Sequence, residues 1–139
     1  MADFRVVISD SETGKSRQVE ISGNQAARLL GKVIGDVVDG EIVGLPGFKL
    51  KITGGTDRDG FPMRRDLPGS QRRRILVSRS VGFKPEKKGL RKRKTLRGNE
   101  ISQDTGQINT LIVERGSKTV EEILDKKEGE EETAEKSEE

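Results

Sequence analysis

Apolar and polar positions alternate most strictly in Phe48-Lys49-Leu50-Lys51-Ile52-Thr53, the period of a strand with one buried face. Ser16-Arg17-Gln18-Val19-Glu20-Ile21 alternates in the same way. Phe4-Arg5-Val6-Val7-Ile8-Ser9 is rich in β-branched residues and is bounded by the turn-forming Asp10-Ser11-Glu12-Thr13-Gly14, so it forms a hairpin with the strand that follows. Arg74 to Ser78 and Ile108 to Glu114 read as two further strands. The helical period is weak. Ser22-Gly23-Asn24 offers a cap for a short helix over 25–30, closed by Gly31, with Leu29 and Leu30 as core anchors. A second short helix is expected in 117–124, where Thr119 and Glu122 have capping-box spacing.

From Val33 onward glycines punctuate the chain at positions 35, 40, 44, 47, 54, 55 and 60. Short strands with turn signals this close together predict a mainly-β fold: a small antiparallel β-barrel, whose closure removes exposed edges. Between the strands at Arg74 and Ile108 lies a run of about thirty residues with little apolar content, read as a long irregular loop of the functional kind. Residues 1–125 are expected to form one domain. Residues 126–139, almost wholly Glu, Lys, Ser, Thr, Ala and Gly, read as a disordered acidic tail that cannot bury enough surface to offset ordering entropy.

Composition removes whole classes of chemistry. The 139 residues include no Cys, His, Trp or Tyr and only four Phe, and apolar residues make up 29%. Thiol nucleophiles, thiolate or imidazole metal sites, disulfides and histidine acid–base catalysis are therefore excluded. No signal peptide or run long enough to span a membrane is visible, so the chain is expected to be soluble and intracellular.

The net charge of +3 hides a strong asymmetry. Residues 1–57 hold 7 basic and 8 acidic side chains, residues 58–99 hold 15 and 3, and residues 100–139 hold 5 and 13. The middle block calls for a polyanionic partner. Its candidate contacts are Arg64, Arg65, Arg72, Arg73, Arg74, Arg79, Lys84, Lys87, Lys88, Arg91, Lys92, Arg93, Lys94 and Arg97, with Asp66 and Glu86 the only acidic residues among them. A solvated surface mixes both signs; this block does not. Nine of the fourteen are Arg, whose planar fork pairs bidentately with phosphate, and such contacts release condensed counterions. Only Phe61 and Phe83 lie near enough to act as stacking platforms, which favours folded RNA read through its backbone over single strands. The acidic tail has two readings, a solubilising end or an internal polyanion shielding the basic block.

Other motifs fail. Asp57-Arg58-Asp59-Gly60 has the start of a calcium loop, but Phe61 stands where an oxygen ligand belongs and no glutamate closes it. Gly31-Lys32-Val33 lacks the leading Gly and the Ser/Thr of a phosphate loop. No nucleophile–base pair can be named, so no enzyme is expected; a nuclease using Asp57 and Asp59 with magnesium is the reading to exclude.

Ile52-Thr53-Gly54-Gly55-Thr56-Asp57-Arg58-Asp59-Gly60-Phe61-Pro62-Met63 resembles the signature of small-subunit ribosomal protein six of the eukaryotic and archaeal type. That signature runs aliphatic, small, Gly-Gly, any, Asp, two of any, Gly, any, Pro-Met. Gly89 to Gly98 resembles the same family's basic box, Arg-Lys-Arg-Lys followed by Ser/Thr, any, Arg-Gly. The resemblance covers roughly 4–115. It implies a structural constituent of the cytoplasmic ribosome's small subunit, bound to ribosomal RNA and neighbouring proteins, monomeric when free, with no cofactor, metal, membrane or small-molecule substrate. Eukaryotic members carry a long basic C-terminal helix with phosphorylated serines; the short acidic end here is similar to archaeal members, and Ser137 among glutamates is no substitute. A non-ribosomal RNA chaperone or a nucleoid-type DNA binder is the alternative.

The signature itself reads first as a turn. Gly54 and Gly55 permit positive backbone dihedrals directly after a strand, and Asp57 can accept bonds from its own turn. Gly60 adds a further turn position, Pro62 sets the chain direction and Met63 fills a core gap. On this reading the motif launches the basic segment, which is mobile until RNA orders it.

Overall fold

The computed structural model of the chain describes residues 3–116 together with 122 and 123. Seven strands are present: β1 (Phe4–Asp10), β2 (Lys15–Ile21), β3 (Val37–Asp39), β4 (Lys49–Asp57), β5 (Arg72–Val77), β6 (Lys92–Arg97) and β7 (Thr105–Glu114). One helix, α1 (Gly23–Leu29), and a 3-10 turn over Gly40–Val43 complete the described elements.

β1 and β2 form the expected hairpin, from Phe4 opposite Ile21 to Asp10 opposite Lys15. Gly14 closes it with φ +70° and donates its N–H to the Asp10 carbonyl at 2.9 Å. Phe4, Val6 and Ile8 all point inward, as their alternate spacing requires. α1 begins after Ser22 and buries Ala26 and Leu29, while Leu30 packs half-buried against the core; Gly31 follows at φ +84°. The core joins these residues to Leu45, Phe48, Leu50, Ile52, Ile101, Ile108 and Ile112.

The mainly-β reading holds, but the sheet is not a closed barrel. Its strand order is β2-β1-β7-β4-β3, which leaves β2 and β3 as edges. Nor is it purely antiparallel: β7, the longest strand, pairs parallel with β1 and antiparallel with β4. The pattern along single strands does not distinguish these arrangements, because an inward-facing residue is apolar in both. Edge protection is achieved by other means, with three residues only in β3 and polar or charged positions along β2.

The basic block is the larger correction. It is not one long irregular loop. Lys92–Arg97 forms β6, antiparallel to β5 from Arg72 opposite Arg97 to Val77 opposite Lys92. Between the strands Ser80 and Phe83 exchange backbone bonds at 3.2 and 3.0 Å around Gly82, a tight turn inside the connection. Val77, Phe83 and Leu96 make a second, small core, with Leu67 and Ile75 against it. An isolated two-stranded ribbon is marginal in water, and this cluster supplies part of what it lacks.

The acidic tail, 126–139, and the Thr119 cap lie outside the described residues. Glu122 and Ile123 are helical, and Ile123 packs half-buried against the main core.

Candidate nucleic-acid interface

The signature segment joins the two sheets. β4 continues through Gly54 and Gly55 to Asp57, so these glycines belong to a strand and not to a turn with positive φ. The ladder with β7 slips between Ile52 and Gly54, a bulge that Gly54 accommodates in open space. Gly55 has a different constraint. A Cβ there would run into the Gln107 carbonyl oxygen and sit 3.2 Å from Met63 Sδ. The turn comes after the strand: Asp59 and Phe61 donate their N–H groups to Asp57 Oδ1 at 3.0 and 2.9 Å, and Gly60 takes φ +90°.

Pro62 and Met63 then act as a splice. Met63 donates its N–H to the Gly55 carbonyl at 2.9 Å, which ties the segment to β4. On the other side the Arg97 N–H donates to the Pro62 carbonyl, and the Arg64 N–H to the Arg97 carbonyl, both at 2.9 Å. A single hydrogen-bonded path thus runs from the main sheet into β6. Pro62 serves here through its carbonyl, so its missing N–H costs nothing at this junction. Gly98 closes the far side. Its N–H donates to Gln71, Asn99 donates to Leu67 and Glu100 to Gly69, and a Cβ on Gly98 would overlap the Gly69 carbonyl.

Asp57 sits at the centre, its side chain fully buried. Oδ2 accepts Nε–H from Arg72 at 2.8 Å and from Arg97 at 3.0 Å. Burial pushes its carboxyl upward, but the bonds from Arg72, the Phe61 N–H and Arg97 outweigh that and hold it below the ordinary 3.8. Arg97, only 7% exposed in its side chain, also donates from Nη1 to the Ser70 carbonyl at 2.7 Å. Arg72 reaches Asp59 as well and lies 4.8 Å from the centroid of the Phe61 ring. The Arg72 guanidinium is raised by its bonds to Asp59 and Asp57. This carboxylate already accepts from four donors, two of them arginines. It is not placed to ligate magnesium, so the nuclease reading of Asp57 and Asp59 fails on geometry.

The fourteen candidate cations therefore separate. Arg97 is buried and Arg72 is engaged by two carboxylates. Arg64 is half-buried and pairs with Asp66 at 3.2 Å; Lys94, half-buried, lies 5.9 Å from the Phe83 ring centroid. Arg65, Arg73, Arg74, Arg79, Lys84, Lys87, Lys88, Arg91, Lys92 and Arg93 are exposed. Register places Arg74 and Arg93 on the face shared with the Asp57 cluster, and Arg73 and Lys92 on the face that carries the small core. Both candidate stacking rings are occupied, Phe83 by burial and Phe61 by Arg72. Sequence reasoning missed Gly98 and the inward role open to Arg72 and Arg97. The only local signal was that the basic box ends in Arg-Gly.

A small mixed β-sheet with a structured, cation-rich arm spliced to it defines the class: a basic protein whose arm exposes cationic side chains on both of its faces. The chain belongs to the ribosomal protein S6e family, whose profile matches residues 4–125. It is 60% identical over 127 residues to the small ribosomal subunit protein eS6 of Archaeoglobus fulgidus, covering 91% of this chain and 98% of that one. The protein of the same name from Methanocella arvoryzae is 50% identical over 128 residues, with 92% and 90% covered, and that of Methanothermobacter thermautotrophicus 54% over 121, with 87% and 94% covered. The family is a ribosomal one, and its members are not enzymes. No helix among the described residues is long and apolar enough to cross a membrane.

Proposed function

We propose that this protein is a structural constituent of the small ribosomal subunit and that it binds ribosomal RNA through the phosphate backbone. The observation that carries the contact surface is the β5–β6 arm, which exposes Arg73, Arg74, Arg79, Lys84, Lys87, Lys88, Arg91, Lys92 and Arg93 with Glu86 the one acidic residue between Arg72 and Arg97. Arg65 extends this surface, with the half-buried Arg64 and Lys94 at its margin. Arg72 and Arg97 hold the arm in place. Phosphate is the chemistry that such a density of guanidinium and ammonium groups matches, and family membership supplies the particle. Residues 1–125 act as one ribosomal-protein unit, supported by the family match to 4–125. The protein works in the cytoplasm, beside other small-subunit proteins, and is a monomer when free.

Co-sedimentation with small subunits through washes of rising salt tests this. The protein stays bound in stoichiometric amount; an RNA chaperone or a nucleoid-type DNA binder washes off. With about six to ten phosphate contacts, affinity for free ribosomal RNA falls ~10³–10⁵-fold between ~50 and ~200 mM salt. A flat salt dependence overturns the phosphate reading.

A further inference from the structure

We propose that Asp57 is the positioning residue of the RNA-binding arm: by drawing Arg72 and Arg97 onto one carboxylate, it sets the direction in which the β5–β6 hairpin leaves the main sheet. The arm then meets RNA already ordered. This rests on the reading that the arm binds ribosomal RNA.

Asp57 is the last residue of β4 in the main sheet, whereas Arg72 opens β5 and Arg97 closes β6. The two arginines face each other at the base of the hairpin. Like charges directly opposite on paired strands repel. One carboxylate oxygen, Oδ2, receives both Nε–H groups, at 2.8 and 3.0 Å, and turns that repulsion into a junction. The carboxylate cannot rotate away, because Oδ1 is held by the N–H groups of Asp59 and Phe61. The Arg97 N–H donates to the Pro62 carbonyl and the Arg97 carbonyl accepts from the Arg64 N–H, which fixes the same strand end. Two cations that a phosphate binder would otherwise direct to its partner are engaged here by carboxylates, Arg97 buried and Arg72 still partly exposed.

Electrostatics and positioning make opposite predictions for the loss of this charge. Removing a carboxylate from a phosphate binder raises its net positive charge and frees two arginines, which by charge alone strengthens binding. If Asp57 orders the arm, its loss weakens recognition of folded RNA, since the ordering entropy must be met on binding.

The test compares the full-length chain with its Asp57→Asn variant on two probes, small-subunit ribosomal RNA and polyuridylate. Expected is a loss of about 10-fold or more for ribosomal RNA, a salt slope equal to or steeper than the parent's, and no loss for polyuridylate. Affinity for ribosomal RNA unchanged or raised overturns the proposal, as do equal losses on both probes with a shallower slope. Hydrogen exchange on the free parent protein is decisive even if the variant does not fold. The amides that face the partner strand, those of 73, 75, 77, 92, 94 and 96, are expected to be protected, and their exchange at unfolded-chain rates overturns the proposal. A parent protein that binds ribosomal RNA without salt dependence refutes the phosphate reading instead, and the exchange result still decides whether the arm is ordered before it meets RNA.

Discussion

Arg72 and Arg97 are cross-strand partners whose Nε–H groups converge on the same oxygen of the buried Asp57 carboxylate. Breaking a buried ion pair by removing one partner is costly, because the remaining charge stays desolvated. Arg97 is the exposed-charge type of residue placed where water does not reach it, and Asp57 is what makes that tolerable.

The first prediction concerns acid. Asp57 titrates below 3.8 in the folded protein, so the folded state binds its proton less readily than the unfolded chain does. The stability this supplies is complete above about pH 5 and is lost as pH falls through and below 3.8. Asp10, held at about 2 by the hydrogen bond from Arg115, acts in the same direction over the window from 3.8 down to about 2. Urea denaturation between about pH 5 and about pH 2.5 is expected to show falling stability in the parent. The slope becomes shallower in Asp57→Asn and, independently, in Asp10→Asn. Identical slopes in all three proteins would refute the assignment.

Adjacent glycines differ in what they tolerate. Gly54→Ala places a Cβ in open space at the bulge and is expected to change stability by no more than about 0.5 kcal/mol. Gly55→Ala drives a Cβ into the Gln107 carbonyl and toward Met63, at a cost of about 1–3 kcal/mol in overpacking. Chemical denaturation of the two variants side by side checks this ordering; equal effects would mean that β4 and β7 separate more easily than the ladder implies.

Gly98→Ala tests the far side of the arm. The added methyl meets the Gly69 carbonyl, so the 67–71 segment has to move and the bonds Gly98 to Gln71 and Glu100 to Gly69 are strained. The expected loss is about 1–3 kcal/mol, with enhanced proteolysis within 67–71. An unchanged melting temperature and cleavage pattern would show that the segment adjusts freely.

Neutralising Arg91, Lys92, Arg93 and Lys94 to Gln separates charge from fold. Affinity for ribosomal RNA is expected to fall and the salt slope to become shallower by about 0.7–0.9 for each phosphate no longer neutralised. The main sheet contributes most of the strand signal in circular dichroism and stays intact. Loss of that signal would make the run a structural element of the whole protein.

Most of what was legible in the chain lay where the burial pattern is local. β1, β2 and β4 show their inward faces in their own alternation, and Gly14 and Gly31 mark the turns they occupy. The partner class was legible too, because charge density is a property of composition and does not depend on how the chain folds. β6 was not. In Lys92-Arg93-Lys94-Thr95-Leu96-Arg97 one apolar residue carries the only hint of a face, and the strand exists because β5 and Phe83 are there to pair and pack with it. Gly54 and Gly55 suggest a turn because glycine permits one, whereas β4 runs through both, and at Gly55 the close approach of Gln107 and Met63 is what requires glycine.

The Arg64–Arg97 stretch shows where that division falls. Its charge, its flanking signature and its family resemblance are written in the chain itself, since residue type alone determines them. Which arginines face outward and which are consumed at Asp57 was decided only by the tertiary structure. A guanidinium is equally suited to phosphate and to carboxylate, and only the folded backbone brings Asp57 to within 3.0 Å of residues 15 and 40 positions along the chain.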